Sequence, residues 1–513
     1  MKIFYKMLFS LLLINTVLHA AANETLPTFH WAYDYIKALQ ERGYLLELNP
    51  LHLPYTRGQV AKQLAKASHS DSLDSPFVVY AFDKLKSEFS QERKNTEPEH
   101  ILGRVRLESN FDKSLDTDAA YRGIYRGGAG ARIGNHVFLY SGVNFDQYDY
   151  HNPLYKGDKW RGITAHTEQA YVRVKWDRFD LLIGRDFLRW GPGESGTLVL
   201  SNLTRPLDQL RATAGFGPFD YTFMAAELDR MTGLDRNSTR ITARRFISGH
   251  RLGIRLLNNR FRMAMSELMV YGGKNEFFNS VYLNPVLFYH GAQKNEAGSG
   301  NVLPSVDILF YPMQTLQIYT SLLIDDIQIE NEAPGDLEPD EIGVIAGLKW
   351  ADPFQFHGLT LSGEYARVTN RTYKTLSFYE VFLHRNEPLG HPLGNDFDLI
   401  QIEAQKWFSA DLQFTLHYSH TRTGEGSIYT PFDTPWLNYT VEQGYSEPFP
   451  TGVVQTGNQL GLSVRYQPSL HWGVNAELSH SRYDNFLNVR GADKTHTTWR
   501  LGVWWDGQVM FRF

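Results

Sequence analysis

Aromatic and basic side chains cluster in one polar segment, residues 149–167. Lys156, Lys159, Trp160 and Arg161 stand there within one short stretch of chain. Aromatic faces stack on sugar rings, while lysine and arginine pair with carboxylates. The segment therefore predicts contact with an acidic carbohydrate. A self-packed loop or part of an aromatic girdle is the alternative.

A second aromatic and basic pair is Arg189-Trp190, which Gly191, Pro192 and Gly193 follow directly. Glycine and proline at this density force a turn. A loop that folds back from there could present the pair to a ligand. It could equally plug an enclosed space, with Arg185, Asp186 and Arg189 neutralising one another.

The segment 423–456 supplies a third candidate platform, Trp436 and Tyr439. By contrast, residues 330–341 are acidic. One interpretation is that its carboxylates are solvated and repel one another. The other is that the segment binds a divalent ion that bridges to an acidic polymer.

Signals for catalysis are weak. The sequence contains no nucleophile elbow, no HExxH motif and no P-loop. His417 and His420 are three positions apart in a predicted strand, so their side chains face opposite ways. We therefore expect no enzyme, no catalytic residues, no cofactor and no metal. A glycosidase pair assembled from separate strands would escape this test.

The C-terminal residues, 499–513, predict the element that carries these segments. Trp499, Leu501, Val503 and Trp505 share one face, and Arg500, Trp504 and Asp506 share the other. Period-two alternation over this length, with aromatics at both ends, is typical of a strand that crosses a membrane. The alternative is a terminal strand of a soluble sandwich.

Similar alternation recurs from residue 101 onwards. Turn signals near 177, 312, 352, 409 and 467 fall on one side, and long polar segments fall on the other. This asymmetry predicts an all-β transmembrane protein, an antiparallel outer-membrane β-barrel of about 18 strands.

The N-terminal part reads differently. Residues 1–22 carry two lysines, an apolar run and an alanine-rich cleavage site, which predicts a signal peptide. Residues 23–98 predict a small periplasmic α-helical bundle, with helices over 30–42, from Thr56 and over 76–89. The barrel would then occupy residues 99–513. There are no cysteines, so thiolate metal sites and disulfides are excluded.

Composition suits a barrel. Mean hydropathy is −0.36 although aromatics make 14% of the residues. A barrel hides its apolar residues in alternation and is rich in aromatics at its girdles. The formal net charge of −5 gives no reason to expect nucleic acid.

Several short segments together resemble the capsule-assembly family named Wzi. They are Trp31 to Gly43, Pro54 to Gly58, Gly184 to Asp186, Arg189 to Gly193, Leu200 to Asn202, Leu283 to Pro285, Gly390 to Gly394 and the aromatic terminus. The resemblance implies an outer-membrane barrel with a periplasmic helical bundle that binds capsular polysaccharide at the cell surface.

These observations lead to one expected function and one alternative. We expect a lectin-like surface protein for the attachment or assembly of capsule or exopolysaccharide. A diffusion or substrate-specific channel is the alternative. The expected partners are capsular or extracellular polysaccharide and outer-membrane lipid, without nucleic acid, and we expect a monomer. The candidate polysaccharide-binding residues are Lys156, Lys159, Trp160, Arg161, Arg189, Trp190, Trp436 and Tyr439.

Overall fold

The computed structural model describes residues 23–67, 75–92, 100–114, 117–134, 136–202, 204–235, 238–295 and 300–512. The predicted signal peptide, residues 1–22, lies outside these ranges.

Eighteen long strands of the described chain close an antiparallel barrel, in which the last strand pairs with the first. The strands are β1 (His100–Ser114), β2 (Thr117–Ile133), β3 (Val137–Asp146), β4 (Ile163–Trp176), β5 (Phe179–Asp186), β6 (Leu207–Phe216), β7 (Phe219–Leu234), β8 (Arg240–Leu256), β9 (Phe261–Gly273), β10 (Asn301–Met313), β11 (Leu316–Asp326), β12 (Glu341–Ala351), β13 (Leu359–Val368), β14 (Phe397–Trp407), β15 (Leu412–Thr423), β16 (Gln455–Tyr466), β17 (Trp472–Asp484) and β18 (Lys494–Arg512). The predicted fold class is confirmed.

Side chains alternate across the barrel wall as the sequence predicts. In β18, Trp499, Leu501 and Val503 are exposed on the outer face, whereas Trp504 is buried on the inner face. On the inner face of β1, Arg106 forms an ion pair with Asp506 of β18 at 2.8 Å. Charged pairs inside and apolar side chains outside are the arrangement that lets a barrel stand in lipid.

The two ends of the barrel differ in the length of their connections. At one end, the turn end, two residues join β4 to β5, β6 to β7 and β10 to β11. At the opposite end, the loop end, residues 187–206, 274–300, 369–396 and 424–454 make long connections. The predicted asymmetry is therefore present.

Among the described residues, three helices precede the barrel: α1 (Ala32–Gln40), α2 (Arg57–Ala67) and α3 (Pro76–Glu88). The predicted capping box starts α2, because Gln59 Oε1 accepts from the Thr56 backbone N–H at 2.7 Å and Thr56 Oγ1 accepts from that of Gln59 at 3.2 Å. No helix among the described residues is long and apolar enough to cross a membrane.

The helices seat against the turn end of the barrel. Arg42 forms an ion pair with Asp352 at 2.9 Å, and Lys84 forms one with Asp411 at the same distance. The Tyr35 hydroxyl donates to the Ala410 carbonyl at 2.7 Å. The apolar stripes of the helices form one core that also includes Trp407 from the barrel. The helices therefore pack on the barrel as well as on each other.

Candidate functional site

The connection between β5 and β6, residues 187–206, folds into the barrel; we call it the inner loop. Within it, the Trp190 backbone N–H donates to the Leu200 carbonyl at 2.9 Å. Arg189 and Trp190 also pair as a short antiparallel bridge with Leu53 and His52 from the N-terminal segment. The inner loop thus meets the helical region in the middle of the lumen.

Glycines allow this turn inward. Gly191 has a φ of +123°, which disfavours any residue with a side chain. A Cβ on Gly193 would lie 2.1 Å from the Gly196 carbonyl oxygen and 2.9 Å from Cδ1 of Ile345 in the wall. The tight turn and its close approach to the barrel wall both need glycine here.

A hydrophobic core fills the lumen around the inner loop. Trp190, Leu198 and Leu200 pack there with Tyr373 and Phe382 from the loop 369–396. Hydrogen bonds fix the arrangement, since the Tyr373 hydroxyl donates to the Leu198 carbonyl and the Ser201 N–H to the Leu389 carbonyl, each at 2.7 Å. The barrel is therefore packed with side chains at mid-height.

The interpretation that Arg185, Asp186 and Arg189 neutralise one another is wrong, because each of them has a different partner. Asp186 forms its ion pair with Arg211 of β6 at 2.9 Å. Arg185 pairs instead with Asp208, and the Arg189 guanidinium donates to the Gly193 carbonyl. Each arginine finds an acceptor fixed by the strand register or by the turn, which a reading of local sequence does not reveal.

At the loop end, Trp160 and Arg161 occupy the tip of a small hairpin. Lys159 pairs with Thr164 and Trp160 with Ile163, and Arg161 and Gly162 form the turn with φ values of +47° and +85°. Trp160 is 66% exposed, with the Arg161 guanidinium 5.1 Å from its ring centroid. An aromatic face and a cation thus lie together on the exposed surface of the hairpin.

Two lysines in and near this tip hairpin, Lys159 and Lys156, make contacts within the protein. Lys159 Nζ donates to the Asn152 carbonyl at 2.9 Å and lies 5.8 Å from the ring centroid of Tyr150. Lys156 forms an ion pair with Asp229 at 2.8 Å. Lys159 keeps its charge near solvent, whereas Lys156 is partly committed to a carboxylate.

Three arginines that were not among the predicted binding residues gather beside the tip hairpin; Arg185, Arg205 and Arg385 form the arginine cluster. The Arg205 guanidinium lies 4.2 Å from the Tyr155 ring centroid and 3.5 Å from Asp149. Across the described residues, no carboxylate lies within 4.0 Å of the Arg385 guanidinium. Burial, together with the charges of Arg205 and Arg185, lowers the pKa of Arg385.

The fold brings this cluster together from distant parts of the chain. The Asn386 side chain donates to the Leu154 carbonyl at 3.1 Å, which joins the loop 369–396 to the segment 149–167. The Tyr429 hydroxyl donates to the Asn386 carbonyl at 3.0 Å. Because these contacts are long-range, no local spacing in the sequence could have indicated the cluster.

The third predicted platform divides into a buried and an exposed member. Trp436 is 2% exposed and lies under the Arg371 guanidinium, which is 4.8 Å from its ring centroid. Tyr439 is 43% exposed and packs against Tyr445 with ring centroids 5.1 Å apart. Trp436 anchors the loop, and Tyr439 presents an aromatic ring to solvent.

The eight predicted residues therefore fall into two groups. Four are accessible at the loop end: Lys159, Trp160, Arg161 and Tyr439. The other four are buried or already bonded within the protein: Lys156, Arg189, Trp190 and Trp436. A role in ligand contact stays a prediction for the first group, while the second group holds the loops in place.

The fold has a clear counterpart among solved structures. Wzi from Escherichia coli, described as an outer-membrane protein involved in group 1 capsule assembly and as a carbohydrate-binding β-barrel, is 15% identical with a TM-score of 0.61, and the match covers 93% of this chain and 99% of that one. OpdK from Pseudomonas aeruginosa, solved with vanillate, is 10% identical with a TM-score of 0.48 over 80% of this chain and 99% of that one. No curated protein sequence matches the chain.

The family model described as capsule assembly protein Wzi matches residues 103–498. A closed barrel with an apolar outer face and long loops at one end places the protein in the bacterial outer membrane, with its loop end outside the cell and its turn end in the periplasm. With most of its length matched on this fold, the chain belongs to the capsule assembly protein Wzi family.

Proposed function

We propose that this protein binds an acidic capsular or extracellular polysaccharide at the loop end and holds it on the cell surface, as a monomer in outer-membrane lipid and without catalysis. The observation that carries the proposal is the accessible surface formed by Lys159, Trp160 and Arg161 next to the arginine cluster. The E. coli relative, described as carbohydrate-binding, supports the same class of ligand.

The chemistry of this surface suits an acidic sugar. An aromatic ring such as Trp160 stacks on the apolar face of a pyranose, and a guanidinium donates two parallel hydrogen bonds to a carboxylate. Arg385 has no carboxylate partner among the described residues, so its N–H groups are free to donate to a carboxylate of a ligand. Neighbouring Arg205 and Arg185 already form ion pairs with Asp149 and Asp208, so Arg385 carries the unpaired charge of the arginine cluster among the described residues.

The filled lumen separates this proposal from the alternative of a channel. Trp190 is fully buried in the middle of the barrel, and the helices seat against the turn end. The inner loop and the helices therefore stand in the path that an aqueous channel through the barrel would need. We therefore expect no steady current when the purified protein is inserted into a planar bilayer.

The experiment that tests the proposal measures binding of the purified full chain to polymer from its own cells. The same polymer, reduced at its carboxyl groups, serves as the matched ligand without charge. We expect binding to the native polymer and a loss on the order of 10-fold or more with the reduced one, since charge-assisted hydrogen bonds disappear. Equal binding of both polymers, or of neither, would refute the proposal.

The cellular counterpart uses a gene deletion. Cells without the protein should still make polymer but release it into the medium, because the proposal assigns retention and not synthesis. A loss of polymer synthesis in the deletion strain would point to export or to an enzymatic role instead.

A further inference from the structure

A cationic groove lies at the turn end, far from the loop-end surface. It runs between α2 and the wall formed by β4 to β9 and contains a cavity of about 420 Å³. Ligand sites in proteins typically occupy about 300–1,000 Å³. The groove is therefore large enough for a small sugar and opens at the periplasmic end of the barrel.

Positive charge dominates the lining of this turn-end groove. Seven lysine and arginine side chains line it, against four carboxylates. Burial and the charges of the neighbouring Arg211 and Arg251 lower the pKa of His52 to about 3, so this histidine is neutral. A neutral His52 adds no further charge to the groove, whose positive charge comes from its lysines and arginines.

The inner part of the groove is internally neutralised. Arg173 forms an ion pair with Asp180 in which Nε and Oδ1 are 2.8 Å apart. Arg211 forms its pair with the buried Asp186 at 2.9 Å. These two arginines stabilise the wall and have no free charge to offer.

Two other arginines of the lining are different, because they stand directly opposite each other and lack a carboxylate partner among the described residues. Arg255 of β8 and Arg262 of β9 are cross-strand partners. Like charges in this position repel and destabilise a sheet. No carboxylate of the described chain lies within 4.0 Å of either guanidinium, and no ion pair joins them to Asp220, the nearby acidic residue of the lining.

Main-chain carbonyls fix these two guanidinium groups. Arg255 Nη2 donates to the Gly217 carbonyl at 2.8 Å, and Arg262 Nη2 donates to the Leu46 carbonyl. Neutral acceptors orient the side chains without cancelling their charge. An anion that bridged both groups would relieve their repulsion and gain charge-assisted hydrogen bonds.

The polar lining indicates what such an anion would carry. Asn49 and Gln59 present side-chain NH2 groups, Gln63 already donates to Glu47, and the exposed Lys62 adds a cation at the rim. The amides and the hydroxyl of Tyr55 can form hydrogen bonds with the hydroxyl groups of a sugar, whereas an acyl chain offers them no partner. We propose that the turn-end groove binds a carboxylate-bearing saccharide from the periplasmic side, as a second site that does not depend on the loop-end surface.

The test is a calorimetric titration of the purified full chain in detergent. Trigalacturonate is the acidic probe, maltotriose the neutral one, and inorganic phosphate tests for simple anion binding. A variant with Lys159→Glu and Arg161→Glu serves as the background, so that failure of the loop-end proposal leaves this event measurable. We expect trigalacturonate to bind and maltotriose and phosphate to bind at least 10-fold more weakly.

Variants then locate the site. Arg255→Gln should weaken the binding of trigalacturonate on the order of 10-fold, because a charged hydrogen-bond donor is replaced by a neutral one. Arg260→Gln is the matched control, since Arg260 lies in the turn beside the groove and also donates to carbonyls, those of Tyr311 and Pro312. Lys62→Gln, a change at an exposed helix position, provides a second variant that leaves the barrel intact.

The outcomes decide the proposal. Weaker binding in Arg255→Gln and Lys62→Gln, with Arg260→Gln unchanged, would support it. Absence of trigalacturonate binding, equal binding of phosphate, or equal losses in all three variants would overturn it.

Discussion

In two connections between barrel strands an arginine and a tryptophan are neighbours in sequence, and the fold buries one tryptophan and exposes the other. Arg189 and Trp190 lie in the inner loop, where Trp190 is fully buried. Trp160 and Arg161 form the tip of a hairpin, where the tryptophan is 66% exposed. Residue type alone therefore does not tell a buried side chain from an exposed one in this barrel.

The surroundings of each pair account for the difference. The inner loop has glycines at 191, 193 and 196 and finds a partner strand in the N-terminal segment. The tip hairpin turns back at Arg161 and Gly162, and among the described residues no strand other than β4 pairs with Lys159 and Trp160. A loop goes inward where glycine permits close approach and another segment supplies backbone hydrogen bonds.

The largest expected effect breaks the buried pair. Trp190→Ala should lower the free energy of unfolding by about 3–5 kcal/mol, because it leaves a cavity in the middle of the lumen. It should also raise conductance in a planar bilayer and antibiotic sensitivity, with little change in polymer binding.

Trp190→Phe is the control for that change. The Trp190 Nε1 atom has no hydrogen-bond partner in the structure, so phenylalanine loses no bond there and fills much of the same volume. Unfolding in urea and conductance would both be measured. A Trp190→Ala protein with wild-type stability and no current would contradict the role of Trp190 as a plug.

The next effect concerns the turn that carries the inner loop inward. Gly193→Ala should cost about 1–3 kcal/mol, because the added Cβ meets the Gly196 carbonyl and the loop must shift. Gly335→Ala is the matched control, since a Cβ there meets nothing within 4 Å. Equal stability of the two variants in urea denaturation would show that the turn is not constrained.

A smaller effect sharpens the role of the exposed pair. Replacing Lys159 and Arg161 by glutamate should weaken polymer binding on the order of 10-fold and flatten its dependence on salt, because screened charge pairs are lost. Lys274→Glu changes an exposed lysine in another loop of the same end and should leave binding unchanged. A similar loss in Lys274→Glu would indicate a general charge effect.

The smallest effect isolates the aromatic ring. Trp160→Ala should cost about 1 kcal/mol of binding free energy, the magnitude of an aromatic contact. The melting temperature should not change, since the side chain is largely exposed. If stability fell with affinity, the ring would be part of the fold and not of the binding surface.

Much of the architecture could be predicted from local patterns. The alternation in β18, the capping box of Thr56 and Gln59, and the unequal connections at the two ends are set by neighbouring residues. These patterns act over a few positions, so one sequence is enough to reveal them.

The candidate site was less predictable, because it depends on contacts between distant segments. Arg385 reaches the segment 149–167 only through the packing of the loop 369–396. The burial of Trp190 likewise requires Tyr373 and Phe382. No periodicity or spacing in the sequence encodes such contacts, and only the folded barrel brings the residues together.

Retention of polymer on cells tests the central claim most directly. The strain would carry Lys159→Glu, Trp160→Ala and Arg161→Glu together, and surface abundance of the protein would be matched to wild type first. Binding at the loop end predicts that this strain releases polymer into the medium while a Lys274→Glu strain retains it. Full retention by the triple variant at normal abundance would contradict the claim and remove the tip hairpin from the binding surface.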